Sequence, residues 1–234
     1  MTRSHPFAIF TLNLLGIALF LSWYLPEHHG FWFNIDSAIF YFFNEKLMPG
    51  SKFTEFVAFV NIRAFDVISL FCMGLLYYSA FRKQNYHGKR RLFMIGLVML
   101  ISAVTLNQIG HQLPVIRPSP TITFDHINRI SEMTKLVTKD ASGNSFPGDH
   151  GLMLLIFSCF ILRYISGKAF TIALLIVVIF ALPRIMAGAH WFTDIAVGSL
   201  SLVLIGASWL LLTPLSDIMV DWLDKHLPQI GRPV

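Results

Sequence analysis

Apolar residues run along this chain in long blocks separated by short polar stretches. Six blocks approach the ~20 residues that cross the hydrocarbon core of a bilayer. They are Phe7–Leu25, Ala64–Phe81, Leu92–Ile109, Gly148–Ile165, Ala169–Ala187 and Ile195–Leu212. The second can be carried back to Phe53, which makes it long or bent. The pattern predicts an all-α fold: a six-span transmembrane helical bundle, read as one integral-membrane domain over residues 1–234. The first block is too long for a signal-peptide core, and Leu25-Pro26-Glu27 offers no small-residue cleavage site, so it reads as a signal anchor. Trp23, Tyr24, Trp32 and Trp191 fall near block ends, where interfacial aromatics sit.

Two segments outside the blocks carry a signal of their own. Asn34–Met48 places Ile35, Ala38, Ile39, Phe42 and Phe43 near helical spacing, which predicts a helix lying at the outer interface. The stretch 110–147 is the longest polar segment and reads as an outer loop, inside a motif-bearing core of about 92–212.

Composition supports the membrane reading. The 234 residues are 55% hydrophobic and 13% charged, where a soluble domain carries about 25% charged residues. The basic residues set an orientation. Arg82-Lys83, Lys89-Arg90-Arg91 and Lys168 lie in two short connections, which the positive-inside rule assigns to the cytoplasm. Six spans then put both termini there, with Asp217, Asp221 and Asp224 on the same side. The formal charge of +5 thus marks topology and contact with anionic membrane lipids, and nucleic acid is not an expected partner. Cys72 and Cys159 both fall inside blocks and read as small apolar fillers.

On this topology the chemistry-bearing residues converge on the outer face. Arg117-Pro118 follows the third block, Pro147-Gly148-Asp149-His150 opens the fourth, Arg184 closes the fifth, and His190 and Asp194 open the sixth. Ionisable groups are expensive at membrane depth, which makes these functional candidates. On a helix His190 and Asp194 share one face a turn apart, so the carboxylate can orient the imidazole. Pro147-Gly148 reads as a helix start, where unpaired N–H groups, including the Gly148 backbone, form an anion site. Arg117 and Arg184 suit a phosphoryl group, because a guanidinium donates in a planar fork. His150 can protonate a departing oxygen, and His190 can attack phosphorus while Asp194 stabilises the imidazolium. Together these residues point to phosphoryl transfer through a phosphohistidine, with no cofactor and no metal cage expected. Blander roles fit other residues. Arg63 and Asp66, three apart, read as a structural ion pair; His28, His29 and His111 read as surface histidines.

Arg184-x5-His190-x3-Asp194, His150 after Pro147-Gly148-Asp149, and Arg117-Pro118 resemble the three signature motifs of the type 2 phosphatidic acid phosphatase superfamily. The third motif is specific. The first lacks the family's lysine seven residues before its arginine, a position held here by Gly110. The second usually reads Pro-Ser-Gly-His, and Gly148-Asp149 replaces its middle. Asn128-Arg129, the run from Thr138 to Ser142, the run from Ser145 to Gly151, and Phe20-Leu21-Ser22-Trp23-Tyr24 resemble one branch, the lipid A 1-diphosphate synthases of Gram-negative inner membranes.

That resemblance implies an enzyme of the bacterial inner membrane with its site facing the periplasm. It implies undecaprenyl diphosphate as phosphoryl donor, lipid A as acceptor, and undecaprenyl phosphate as the second product. Carried over, His190 is the nucleophile, Asp194 its orienter, and His150 the general acid and base. Arg117 and Arg184 hold the transferring phosphoryl group. Lys139 is the candidate to replace the missing lysine. Asp149 either caps the fourth helix or engages Lys139 or an arginine. A plain lipid-diphosphate phosphatase shares every one of these residues, and a non-enzymatic lipid transporter is the more distant alternative.

Overall fold

The computed structural model describes residues 4–228; the expected domain limits at 1 and 234 lie outside the described residues. Within them the elements are helical, joined by one isolated antiparallel bridge between Ile62 and Thr138. In chain order they are α1 (Pro6–Tyr24), a short 3-10 turn (Glu27–His29), α2 (Phe31–Asn44), α3 (Lys52–Phe59), α4 (Arg63–Phe81) and α5 (Tyr86–His111). Two one-turn helices follow, α6 (Pro120–Thr123) and α7 (Ile130–Met133). Then come α8 (Asp149–Tyr164), α9 (Gly167–Met186), a π-helical segment (Asp194–Ser199) continuous with α10 (Leu200–Leu211), and α11 (Leu215–His226).

Five of these are long and apolar enough to cross a membrane: α1, α4, α5, α9 and the continuous helix Asp194–Leu211. The fourth expected span differs. Helix α8 has 16 residues, about 24 Å at the usual helical rise, which is short of a full hydrocarbon core. It is the hub of the bundle, packed against α5, α9 and α10. Leu152, Leu154, Ile156, Phe157, Phe160 and Ile161 bury most of its circumference, as expected for a helix that is apolar all round. In lipid such packing stabilises through van der Waals contact more than through exclusion of water. Helix α4 is the opposite case: none of its residues is buried.

Several sequence expectations need correction. The second block does not reach back to Phe53, because α3 ends at Phe59 and Ile62 caps a separate α4. A helix forms where the apolar spacing of 34–48 predicted one, but it runs Phe31–Asn44, earlier than that spacing suggested. The long polar segment is not structureless. Asn44 and Asn128 exchange three hydrogen bonds that fasten it to α2, and Ser145 N–H donates to the Arg117 carbonyl at 2.8 Å. Trp23 and Trp191 are buried side chains rather than interfacial aromatics. Helix α11 went unforeseen. It exposes Leu215, Ile218 and Trp222, while Asp217 pairs with Arg91 and Arg163, Asp221 with Arg91, and Asp224 with Arg90.

Candidate active site

The site begins where α9 ends. Arg184 lies in its last turn, and the chain then reverses through Gly188 at φ +73°. A Cβ there would lie 2.7 Å from Phe40 and Thr121, so the turn needs both the left-handed backbone and the missing side chain. The Ala189 and His190 amides donate back to the Arg184 carbonyl, closing the bend. His190 therefore sits in the bend and not on a shared helix with Asp194, which opens the π-helical segment. The expected pairing forms all the same, with 3.3 Å between His190 Nδ1 and Asp194 Oδ2.

The tautomer follows from the partners. His190 Nδ1 also lies 2.9 Å from the Ser145 carbonyl oxygen, which can only accept. Nδ1 therefore carries the proton, and the Nε2 lone pair is left free as a nucleophile. Asp194 is fixed in turn. Its Oδ2 accepts from the Trp191 amide at 2.9 Å, and its Oδ1 accepts from Arg117 Nη1 at 2.8 Å.

Arg117 is held more tightly than the sequence suggested. Its Nη2 donates to Asp36 Oδ2 at 2.7 Å and its Nη1 to Thr193 Oγ1 at 2.8 Å. Its guanidinium carbon lies 4.6 Å from the Trp191 ring centroid and 5.0 Å from that of Trp23, a cation–π sandwich. Asp36 also accepts the Thr193 amide at 3.0 Å and the Thr193 hydroxyl. Two carboxylates against one guanidinium leave this buried group with a net charge of about −1 while His190 is neutral. A positive charge carried by the His190 ring would face that negative charge.

Sequence reading missed Asp36 and Thr193. The signal was available: Asp36, Phe40 and Asn44 recur at four-residue spacing and are the buried residues of α2.

A second set faces this one. Arg184 Nη2 donates to both oxygens of Asp66 at 2.7 and 2.8 Å. His150 Nε2 lies 3.4 Å from Asp66 Oδ1. The expected Arg63–Asp66 pair is thus replaced by a three-membered group joining α4, α8 and α9. His150 is also within electrostatic reach of His190 and Lys139. Lys139 arrives there because its amide donates to the Asn61 carbonyl at 3.3 Å, beside the Ile62–Thr138 bridge.

Pro147-Gly148 stands at the start of the helix as predicted. Gly148, at φ +85°, is the N-cap and Asp149 the first helical residue. Asp149 makes neither expected contact. Its carboxylate is 3.0 Å from His111 Nε2, so His111 is a partnered residue at the end of α5. His29, also read as a surface histidine, stacks on Trp23 with centroids 4.0 Å apart and donates from Nδ1 to the Trp23 carbonyl at 3.1 Å. Burial lowers its pKa below the ordinary histidine value.

The missing lysine has a steric reason. A Cβ on Gly110 would lie 2.8 Å from both Leu202 Cδ1 and Pro147 Cγ, so a side chain at position 110 would have to displace them. The π-helical segment seats the same loop. The Ser199 hydroxyl lies 2.7 Å from the Pro147 carbonyl and 2.9 Å from that of Gly148. Among the described residues, no group of three or more His, Cys, Asp or Glu side chains is arranged to hold a metal ion.

The chain as a whole has counterparts among known proteins. The chain is 58% identical, over 221 residues, to the lipid A 1-diphosphate synthase of Escherichia coli (strain K12), covering 94% of this chain and 93% of that protein. No solved structure matches it. The model of the PAP2 superfamily matches residues 91–217, a region that holds Arg117, His150, Arg184, His190 and Asp194. With more than half of its length matched, the chain belongs to the PAP2 superfamily.

Proposed function

We propose that this protein transfers the distal phosphate of undecaprenyl diphosphate to the 1-phosphate of lipid A, giving lipid A 1-diphosphate and undecaprenyl phosphate. The observation that carries the reading is His190. Its Nδ1 proton is committed to Ser145 and Asp194, so Nε2 is the free nucleophile. The similarity to a lipid A 1-diphosphate synthase over nearly the full length supports lipid A as the acceptor, and the family resemblance implies undecaprenyl diphosphate as the donor.

In the first step Nε2 attacks the distal phosphorus. The bond from phosphorus to the bridging oxygen breaks, His150 gives that oxygen a proton, and undecaprenyl phosphate leaves. The positive charge on the phosphorylated imidazole is met by Asp194, whose second oxygen rests on Arg117. In the second step His150 takes the proton of the incoming lipid A phosphate, an oxygen of that phosphate attacks phosphorus and the P–Nε2 bond breaks, restoring both histidines. Arg184, Lys139 and the first amides of α8, at the positive end of its dipole, stabilise the transferring phosphoryl oxygens.

A lipid donor fits the surroundings. A cavity of about 320 Å³ opens beside Asp66 and His150 and continues along α4, α5 and α8 past Leu70, Met73, Leu100 and Met153. Its polar end lies at the first turns of α4 and α8, and its depth is apolar, as a phosphate on a long hydrocarbon requires.

The topology in this reading has six spans, counting α8, with both termini in the cytoplasm of a bacterium and the site facing the periplasm across the inner membrane. Supporting it, His150 stands at one end of α8 while Arg163, near the other, belongs to the basic cluster with Arg90 and Arg91. Purified protein given donor labelled in its distal phosphate, with and without lipid A, tests the assignment. Label appearing on lipid A supports it. Label released only as inorganic phosphate while lipid A is present identifies a hydrolase instead.

A further inference from the structure

The candidate site is built from two matching sets. On one side His190 meets Asp194, whose other oxygen meets Arg117. On the other side His150 meets Asp66, whose oxygens meet Arg184. In the first set the histidine and the carboxylate are four residues apart and only the arginine is distant; in the second, His150, Asp66 and Arg184 come from three separate helices. The first carboxylate is part of a signature motif. Asp66 lies outside the matched region of the superfamily, on a helix with no buried residue.

We propose that Asp66 is the positioning residue of His150. It turns the Nε2 edge of the ring toward the seat of the leaving oxygen and holds Arg184 beside that seat. Three observations carry this. The Arg184 side chain is 4% exposed, so its charge needs a counter-ion, and Asp66 supplies one by accepting twice from Nη2. Asp66 Oδ1 serves Arg184 and faces His150 Nε2 at once, so one atom fixes the relative placement of both groups. Finally, the Asp66 side chain is 37% exposed and lines the apolar cavity, so the seat it organises is open to a ligand.

The groups facing His150 are then Asp66 from α4, Arg184 from α9, His190 from the bend and Lys139 from the loop. Of these Asp66 is the anion. Asp194 bonds His190 at Nδ1, away from its reacting nitrogen, whereas Asp66 lies 3.4 Å from His150 Nε2 as an ion-pair contact; its charge holds the imidazolium in place and leaves the Nε2 proton for the departing oxygen. The inference rests on the phosphohistidine reading but not on the identity of the lipids.

The test uses leaving groups of graded quality. Full-length protein in detergent is given dinitrophenyl, nitrophenyl and phenyl phosphates, and separately the lipid diphosphate. A dinitrophenolate departs without a proton, whereas a phenolate needs one. Asp66→Asn is expected to slow phenyl phosphate at least about 10-fold more than dinitrophenyl phosphate, within an acid contribution of 10²–10⁴ overall, the loss shared by all three esters being that of Arg184. Asp66→Glu is expected to recover part of the loss. Equal losses on all three esters show a merely structural carboxylate and overturn the proposal, as does an unchanged rate on phenyl phosphate. Failure of the substrate assignment reads differently: the graded loss persists while lipid A receives no label.

Discussion

Replacing Asp36 by Asn tests whether the buried charge group organises the site. Asp36 is 1% exposed and accepts three hydrogen bonds, from Arg117 Nη2, the Thr193 amide and the Thr193 hydroxyl. An asparagine can place its oxygen toward only one of these directions. If the oxygen faces the Thr193 amide, its NH2 opposes Arg117 Nη2 at 2.7 Å; if flipped, the NH2 opposes the Thr193 amide. Breaking one partner of a buried pair costs about 3–5 kcal/mol. Arg117 keeps Asp194, so the lower end applies, about 3 kcal/mol. For a chain of this size that is a fall of roughly 6–12 °C in the melting midpoint. Thermal unfolding in detergent at one scan rate measures it. The sign is then expected to reverse in an Arg117→Met background. There Asp36 is an uncompensated buried carboxylate, and its replacement by Asn becomes neutral or stabilising. A single-variant shift under about 2 °C, or additive losses in the double variant, refutes the coupling.

Other predictions follow from single positions. Gly110→Lys restores the family's lysine in sequence but lowers both stability, by about 1–3 kcal/mol, and label transfer, because its Cβ meets Leu202 and Pro147 at 2.8 Å; melting and the transfer assay read the two effects. Gly198→Ala presses on the Pro147 backbone at 2.9 Å, displaces the loop before His150, and is expected to lower kcat more than it raises KM. Lys139→Ala is expected to raise the donor KM several-fold with an unchanged melting midpoint, since its amide keeps the bond to Asn61. For His29 the folded pKa lies below 6.5, so the unfolded chain binds the proton more readily, and stability present above about pH 6.5 is lost as pH falls through the folded value. His29→Asn, which tolerates the left-handed backbone at φ +63°, is expected to flatten that slope in melting runs between neutral and mildly acidic pH.

Hydropathy located the long helices because a bilayer demands apolar length, and the motif spacing located His150, Arg184, His190 and Asp194 because their register is local. What the sequence hid is what folding decides at a distance. Asp66 was assigned to Arg63 by proximity along the chain, but Arg184, 118 positions on, is the partner. Asp149 was expected at a helix cap or a cation of the loop, but α5 ends beside it and presents His111. Asp36 lay in a segment read for its apolar residues alone, although its spacing with Phe40 and Asn44 marked the buried stripe. Gly110 looked like a gap in a motif. Its meaning is steric and appears only when Leu202 and Pro147 arrive from other elements.

The π-helical segment explains how the two histidines are kept in register. Such segments widen the helix by one residue and often mark functional sites. Here the widened turn runs from Asp194 to Ser199. Its first residue orients His190, and its last grips the carbonyls of Pro147 and Gly148, immediately before His150. Between them Gly198 leaves room for the Pro147 backbone, and Gly148 leaves room for the Asp194 carbonyl at 3.1 Å from its absent Cβ. One stretch of six residues therefore fixes His190 at one end and the loop before His150 at the other. Residues 194–199 carry the spacing between the two histidines in their own backbone, so a change that restores ordinary helical pitch there moves His150 relative to His190 without touching either.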